Sequence, residues 1–254
     1  MKKILLVGSG NLATNLALNI NKKGYLINQI YSPNKTNAKN LAKKIKSEWT
    51  SNPKEIKQAD ITIIAIKDDE IKNVIKILPK NPTVHTSGST SINVFKEHLP
   101  DYGVLYPLQS FKKDIKTNMK DTPFLIEANN KKFEKELIKL ASSISKTIEK
   151  TDSYKRKKIH IAAIFACNFS NHMLVIAKQL LEKENISYKL LLPLIKESFT
   201  RIESTDPLMT QTGPAIRKDT KIIEEHLKSI DQDEFKVLYK LISNNISKTH
   251  DNSY

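Results

Sequence analysis

Residues Lys2–Gly24 read KKILLVGSGNLATNLALNINKKG and hold three of the chain's six glycines. A continuous apolar run, Ile4–Val7, is followed by two glycines set two apart and then by helix-forming residues. The run reads as the buried part of a strand over Lys3–Val7, and Asn11–Lys23 as a helix with Leu16 and Ile20 on its apolar face. Gly8-Ser9-Gly10-Asn11-Leu12-Ala13 therefore satisfies G-x-G-x-x-G/A in the strand–turn–helix setting the pattern requires. Gly8 permits the tight turn, Gly10 leaves backbone open to a pyrophosphate, and Ala13 lets the helix lie close to the strand. Free N–H groups and the positive end of the helix dipole then face the phosphates. A dinucleotide is the expected ligand, with Gly8, Ser9, Gly10, Asn11 and Leu12 in contact.

The second strand decides which dinucleotide. NAD sites carry an acid about 20 residues on to hold the ribose hydroxyls. Here no Asp or Glu occurs before Glu48, and the place is taken by Ser32-Pro33-Asn34-Lys35. A hydroxyl and a cation suit a 2′-phosphate, so NADP is favoured over NAD, with Ser32 and Lys35 as its contacts and Ile66, at a later strand end, beside it.

The first half continues to alternate short apolar runs with helical patterns of 10–15 residues. Strands are expected at Leu26–Tyr31, Ile61–Ile66, Thr83–Thr86, Val104–Tyr106, Phe124–Glu127 and Lys146–Glu149. Helices are expected at Asn37–Lys46, Asp69–Ile77 and Ser91–His98, and on the stripe Phe133, Leu137, Leu140, Ile144. That alternation predicts a Rossmann-type, doubly wound parallel sheet over residues 1–152. After Thr151-Asp152-Ser153 the pattern turns wholly helical, giving an all-helical domain over 153–254 with a frayed end at 252–254. A long helix over 156–184 carries Ile161, Ile164, Phe165, Met173, Ile176 and Leu180 at spacings of three and four.

Composition narrows the classes. With 42 Lys+Arg against 27 Asp+Glu the net charge is +15, yet only Lys155–Lys158 forms a dense run and only three cations are arginine. Spread lysines favour an anionic small ligand over nucleic acid. The N-terminal apolar run stops at Gly8, short of a signal sequence, and one cysteine, Cys167, fits a reducing, cytoplasmic setting. No membrane span and no zinc pattern are expected.

Ligands of open α/β sheets lie beyond the carboxyl ends of the strands. There the chain places His85-Thr86-Ser87-Gly88-Ser89-Thr90, a polar run around a glycine, and Tyr106-Pro107-Leu108-Gln109-Ser110. Asp68 or Asp69 reads as the cap of the intervening helix. On the long helix, His160, Ile164 and Asn168 share a face. His160 or Ser87 is the expected proton donor, with Asn168 beside it and Ser89, Gln109 and Gln211 orienting substrate. Arg217, rare in so lysine-rich a chain, is expected either to anchor an anionic group or to pair with Asp219 or Glu224.

VGSGNLATNLA, HTSGS, YPLQSF, HIAAIFACNFSNHM and QTGPAIRKD, in that order, resemble the Rossmann-like proteins with a DUF2520 helical C-terminal domain. These are relatives of pyrroline-5-carboxylate reductase and of the 6-phosphogluconate and β-hydroxyacid dehydrogenases. The resemblance implies an NADP-binding N-terminal domain, a homodimer through the helical domain, and a small-molecule site between the two. It implies no substrate. Two departures stand out. Where the group often has Arg this chain has Pro33, leaving Lys35 to substitute. Where the β-hydroxyacid dehydrogenases place a catalytic Lys, four before Asn168, this chain has Ile164, which throws the role back to His160. An NADP(H)-dependent oxidoreductase is expected, with a non-catalytic NADP(H)-binding sensor as the rival.

Overall fold

The computed structural model describes residues 2–112, 115 and 117–251, so the expected frayed end lies outside the described residues. The chain forms two compact units, Met1–Ala166 and Cys167–Tyr254.

The first unit is built on an eight-stranded sheet: β1 Lys3–Val7, β2 Leu26–Tyr31, β3 Glu48–Thr50, β4 Ile61–Ile64, β5 Thr83–His85, β6 Tyr102–Pro107, β7 Phe124–Ala128 and β8 Ile148–Lys150. Their order is β3-β2-β1-β4-β5-β6-β7-β8. Strands β1 to β6 run parallel, reversing direction of growth at β1/β4 as a doubly wound sheet does. The β6–β7 pair is antiparallel, and β8 runs parallel to β7. Ile4, Leu5, Leu6 and Val7 are buried because strands flank β1 and helices cover the sheet.

Helices α1 (Asn11–Lys22), α2 (Lys35–Ile45), α3 (Asp68–Val74) and α4 (Lys131–Ile144) join the strands. In α4 the stripe Phe133, Leu137, Leu140, Ile144 is buried, and Asn130 caps the helix by accepting the Phe133 N–H at 2.9 Å. The cap expected from Asp68 or Asp69 is not formed. Lys67 occupies that position, and Asp68, Asp69 and Glu70 fill the first turn, where carboxylates suit the helix dipole. The helix expected over Ser91–His98 is a short 3₁₀ turn, Ile92–Phe95, capped by Ser91.

A long helical rod starts the second half. It comprises α5 (Ser153–Ala163), a π-helical segment Ile164–Phe169, and α6 (Ser170–Lys183). The sequence pattern does not anticipate the π turn, since its apolar spacing passes through unbroken. Nor is the stretch a core helix here: Ile161, Phe165 and Phe169 are exposed. By length and composition alone Ser153–Lys183 could cross a membrane, with a window of mean hydropathy 1.5 that is 6% buried. The second unit continues with α7 (Leu192–Arg201), the short α8 (Pro207–Thr210), α9 (Thr220–Ser229) and α10 (Asp233–Asp251).

Candidate active site

The glycine-rich turn has the geometry its sequence demands. Gly8 adopts φ +115°, and a Cβ there would stand 2.2 Å from the Ala65 carbonyl oxygen, so only glycine fits between β1 and the end of β4. Around Gly10, by contrast, a Cβ would meet nothing within 4 Å: the backbone leading into α1 faces open space. Gly10 is the N-cap of α1 and no side chain caps the helix, so the first-turn N–H groups point outward unclaimed by a capping side chain. These features fit a pyrophosphate.

At the end of β2 the Ser32 hydroxyl is buried and shares a 2.8 Å hydrogen bond with the Ser9 hydroxyl, tying the second strand to the phosphate turn. Asn34 caps α2, accepting the Asn37 N–H, and Lys35 follows at its exposed first position. The sequence suggested no acid nearby, but the 3₁₀ turn after β3, Pro53–Glu55, carries one. Thr50 accepts the Ser32 N–H through its carbonyl, and Thr50 Oγ1 donates to Glu55 Oε2 at 2.6 Å. Asn52 also donates to Glu55, and these two bonds hold its carboxyl below the usual carboxylate range. The carboxylate is thus engaged in its own loop.

The loop after β5 is braced from both sides. His85 is fully buried, stacks on Phe95 with centroids 5.5 Å apart, and accepts the Ser87 N–H at Nδ1. Burial, with the Arg156 charge, lowers its pKa to about 3, so it is neutral at physiological pH. Ser87 Oγ donates to Asp68 Oδ2 at 2.7 Å and accepts the N–H groups of Ser89 and Thr90. Its hydroxyl is fully used in holding the loop. Gly88 then passes beneath two rings: a Cβ would lie 2.7 Å from His160 Cγ and Nδ1 and 2.9 Å from Tyr106 Cζ.

Those two rings form the most suggestive pair in the unit. Tyr106 Oη and His160 Nδ1 are 2.9 Å apart, with the rings edge-to-face at 5.8 Å. Burial and the Asp68 charge raise the Tyr106 pKa, keeping the phenol protonated. The phenol and Nδ1 share this hydrogen bond, and which of them donates is set by the imidazole tautomer. His160 is itself only half-buried, so the pair has a wet side.

Behind the pair lies Arg156, wholly buried. It forms an ion pair with Glu127 on β7, and donates to the Thr90 carbonyl at 2.5 Å and to Ser153 Oγ at 3.2 Å. Ser153 Oγ in turn donates to the Glu127 carboxylate and accepts the Ile92 N–H. One guanidinium therefore fixes the start of α5, the end of the Ser87–Thr90 loop and β7 to each other, and so sets where His160 stands.

Residues 3–86 match the family model described as NADP oxidoreductase, coenzyme F420-dependent, and residues 122–246 match the DUF2520 model. The crystal structure of a "putative NADP oxidoreductase BF3122" from Bacteroides fragilis is 38% identical, with TM-score 0.91, covering 97% of this chain and 98% of that one. The chain belongs to the family of Rossmann-like NADP oxidoreductases that carry a DUF2520 region. Protein TM1727 from Thermotoga maritima shares the fold at 23% identity and TM-score 0.72, covering 98% of each chain. So does 1-pyrroline-5-carboxylate reductase from Streptococcus pyogenes, at 12% identity and TM-score 0.65, covering 97% of this chain and 98% of its own. No functionally curated protein matches the sequence.

The chain's first unit has Gly8, Ser9, Gly10, Asn11 and Leu12 at the end of β1 and Ser32 and Lys35 at the end of β2. Ile66 lies just past β4, 3.1 Å from where a Gly8 Cβ would be. Ser87, Ser89 and His160 come together at β5. Gln109 follows β6, exposed, its side chain accepting the Ser110 N–H. Asn168, Gln211 and Arg217 belong to the second unit. Asn168 is exposed in the π segment, and Gln211 Nε2 donates to the Thr212 carbonyl. Arg217 is exposed with no ion pair among the described residues; Asp219 caps α9 and does not pair with it. Sequence reasoning placed the stretch from Tyr106 to Ser110 at the ligand end but gave Tyr106 no role, and it passed over Arg156. The signal for Arg156 was present: it is one of only three arginines, hidden inside a run of lysines.

Proposed function

We propose that the protein is an NADP(H)-dependent oxidoreductase that transfers a hydride to or from a small carbonyl or imine compound, with His160 as the proton donor. The observation that carries this reading is the Tyr106–His160 hydrogen bond at the carboxyl end of β6, on the edge of the sheet where Gly8 turns into α1. The nicotinamide, when bound, supplies the hydride chemistry. The chain supplies the rest. The N–H groups of α1 hold the pyrophosphate, and Ser32 and Lys35 stand at the position of a 2′-phosphate. In the tautomer that accepts the Tyr106 hydroxyl at Nδ1, His160 presents Nε2–H to a developing alkoxide or amine. Ser87 and Asp68 hold the intervening loop and do not exchange protons with substrate.

The helical unit completes the proposal. Asn168 and Gln211 orient the substrate, and Arg217 anchors an anionic group on it. A second copy of the chain covers the apolar surface of that unit, where Leu190, Leu194, Met209, Val237 and Leu241 are each more than half exposed in one chain. The cytoplasm, with its reducing thiol pool, is the compartment we assign.

The test is substitution of the donor. His160→Ala should leave NADPH affinity within about threefold and lower turnover about 100-fold or more on whatever ketone or imine the wild-type protein accepts. Retained turnover would remove His160 from the role. Wild-type binding without oxidation of NADPH across a broad panel of ketones and imines would point instead to a cofactor-binding sensor.

A further inference from the structure

The connection between β6 and β7 is fastened to the phosphate helix. Phe111 packs against the core cluster that includes Leu16 and is joined by Leu12. Asn15, buried on α1, donates from Nδ2 to the Lys112 carbonyl at 3.0 Å and to the Asn11 carbonyl at 3.1 Å, and accepts the Thr117 N–H at 2.9 Å. One turn later Asn19 repeats the device, donating to the Thr117 carbonyl at 2.9 Å and accepting the Met119 N–H at 3.4 Å. Two amides on one helix face thus satisfy four backbone groups of a crossing that its strands alone would leave to solvent.

The fastening places Lys112 beside the start of α1. Its carbonyl rests on the side chain of Asn15, four residues and about 6 Å of helix from Asn11. A lysine side chain extends over a similar length, and this one is exposed, without a carboxylate partner among the described residues. The first turn of α1 holds no charged side chain of its own. We infer that Lys112 is a cofactor-binding residue whose ammonium neutralises the pyrophosphate held at the start of α1. Asn15 acts as the positioning residue that keeps it there. The inference rests on the NADP(H) reading above.

Equilibrium titration of NADPH and NADH, read by protein fluorescence, tests it on wild type, Lys112→Gln, Lys112→Arg and, as a control at the far end of α1, Lys22→Gln. Lys112→Gln should weaken both dinucleotides about 5- to 20-fold, as expected for loss of one charge-assisted contact. Lys112→Arg should stay within about threefold, Lys22→Gln should not change affinity, and added salt should narrow the gap. A Lys112→Gln protein that binds both dinucleotides like wild type overturns the inference while leaving the cofactor reading intact. A loss confined to NADPH also overturns it, since it would move Lys112 to the 2′-phosphate. Wild-type protein that binds neither dinucleotide overturns the cofactor reading itself.

Discussion

Removing the Glu127 carboxylate should destabilise the first unit far more than any surface change. The Arg156 side chain has no solvent exposure, and Glu127 has 14%. In Glu127→Ala the guanidinium would keep only the Thr90 carbonyl and Ser153 Oγ, and Arg156 Nε already lacks an acceptor among the described residues. Stranding a buried charge costs about 3–5 kcal/mol. The partial exposure of Glu127 admits some water, which sets the expectation near the lower end, about 3 kcal/mol. For a unit of this size that corresponds to a fall in Tm of about 6–12 °C. Urea unfolding followed by circular dichroism measures it, with Arg156→Met and the double variant completing a cycle. The double variant, which leaves no charge buried, should be more stable than Glu127→Ala alone. A Glu127→Ala protein within about 0.5 kcal/mol of wild type, or single effects that simply add, would show that the pair does not clamp β7, the Ser87–Thr90 loop and α5 together.

Other expectations follow from single contacts. Gly88→Ala should keep the fold at a cost of about 1–3 kcal/mol. Its Cβ would displace the His160 ring, so turnover should fall with little change in NADPH affinity; unchanged turnover counts against the Tyr106–His160 geometry. Gly8→Ala should abolish cofactor binding or folding, because Cβ and the Ala65 carbonyl cannot coexist at 2.2 Å; a well-folded variant with normal affinity would refute the turn. His85 should make stability fall in acid. Its folded pKa of about 3 is below the unfolded value near 6.5, so its contribution is complete above pH 6.5 and lost as pH falls toward 3. Between those values it costs about 1.4 kcal/mol per pH unit, and His85→Asn should show a correspondingly shallower urea-stability slope from pH 6.5 to 4.5. Equal slopes would contradict the burial assigned to it.

What the sequence disclosed tracks how local each feature is. β1 and β2 were legible to the residue because each is a short run flanked by turn signals. β3 was not: Glu48-Trp49-Thr50 is three residues long and gains its identity only from pairing with Gln29–Tyr31. The reversal at β6–β7 left no mark, since a strand's own residues do not state its neighbour's direction. In the site, Gly8 was readable because strain at one residue is local. The Tyr106–His160 bond joins residues 54 positions apart, and the Arg156–Glu127 pair joins residues 29 apart. Rarity of arginine pointed to Arg217, yet the buried guanidinium is Arg156; composition marks an unusual residue and cannot say which copy the fold encloses.

The central claim is that the open turn at Gly10 and the acid-free end of β2 select NADP(H), and ligand-induced stabilisation tests it most directly. With NADPH at about a hundredfold excess over its Kd, mass action contributes about 2.7 kcal/mol, or about 5–11 °C in Tm for a protein of this size. NADPH should produce that shift, and NADH a smaller one at the same concentration. A Tm that neither dinucleotide moves at millimolar concentration would contradict it.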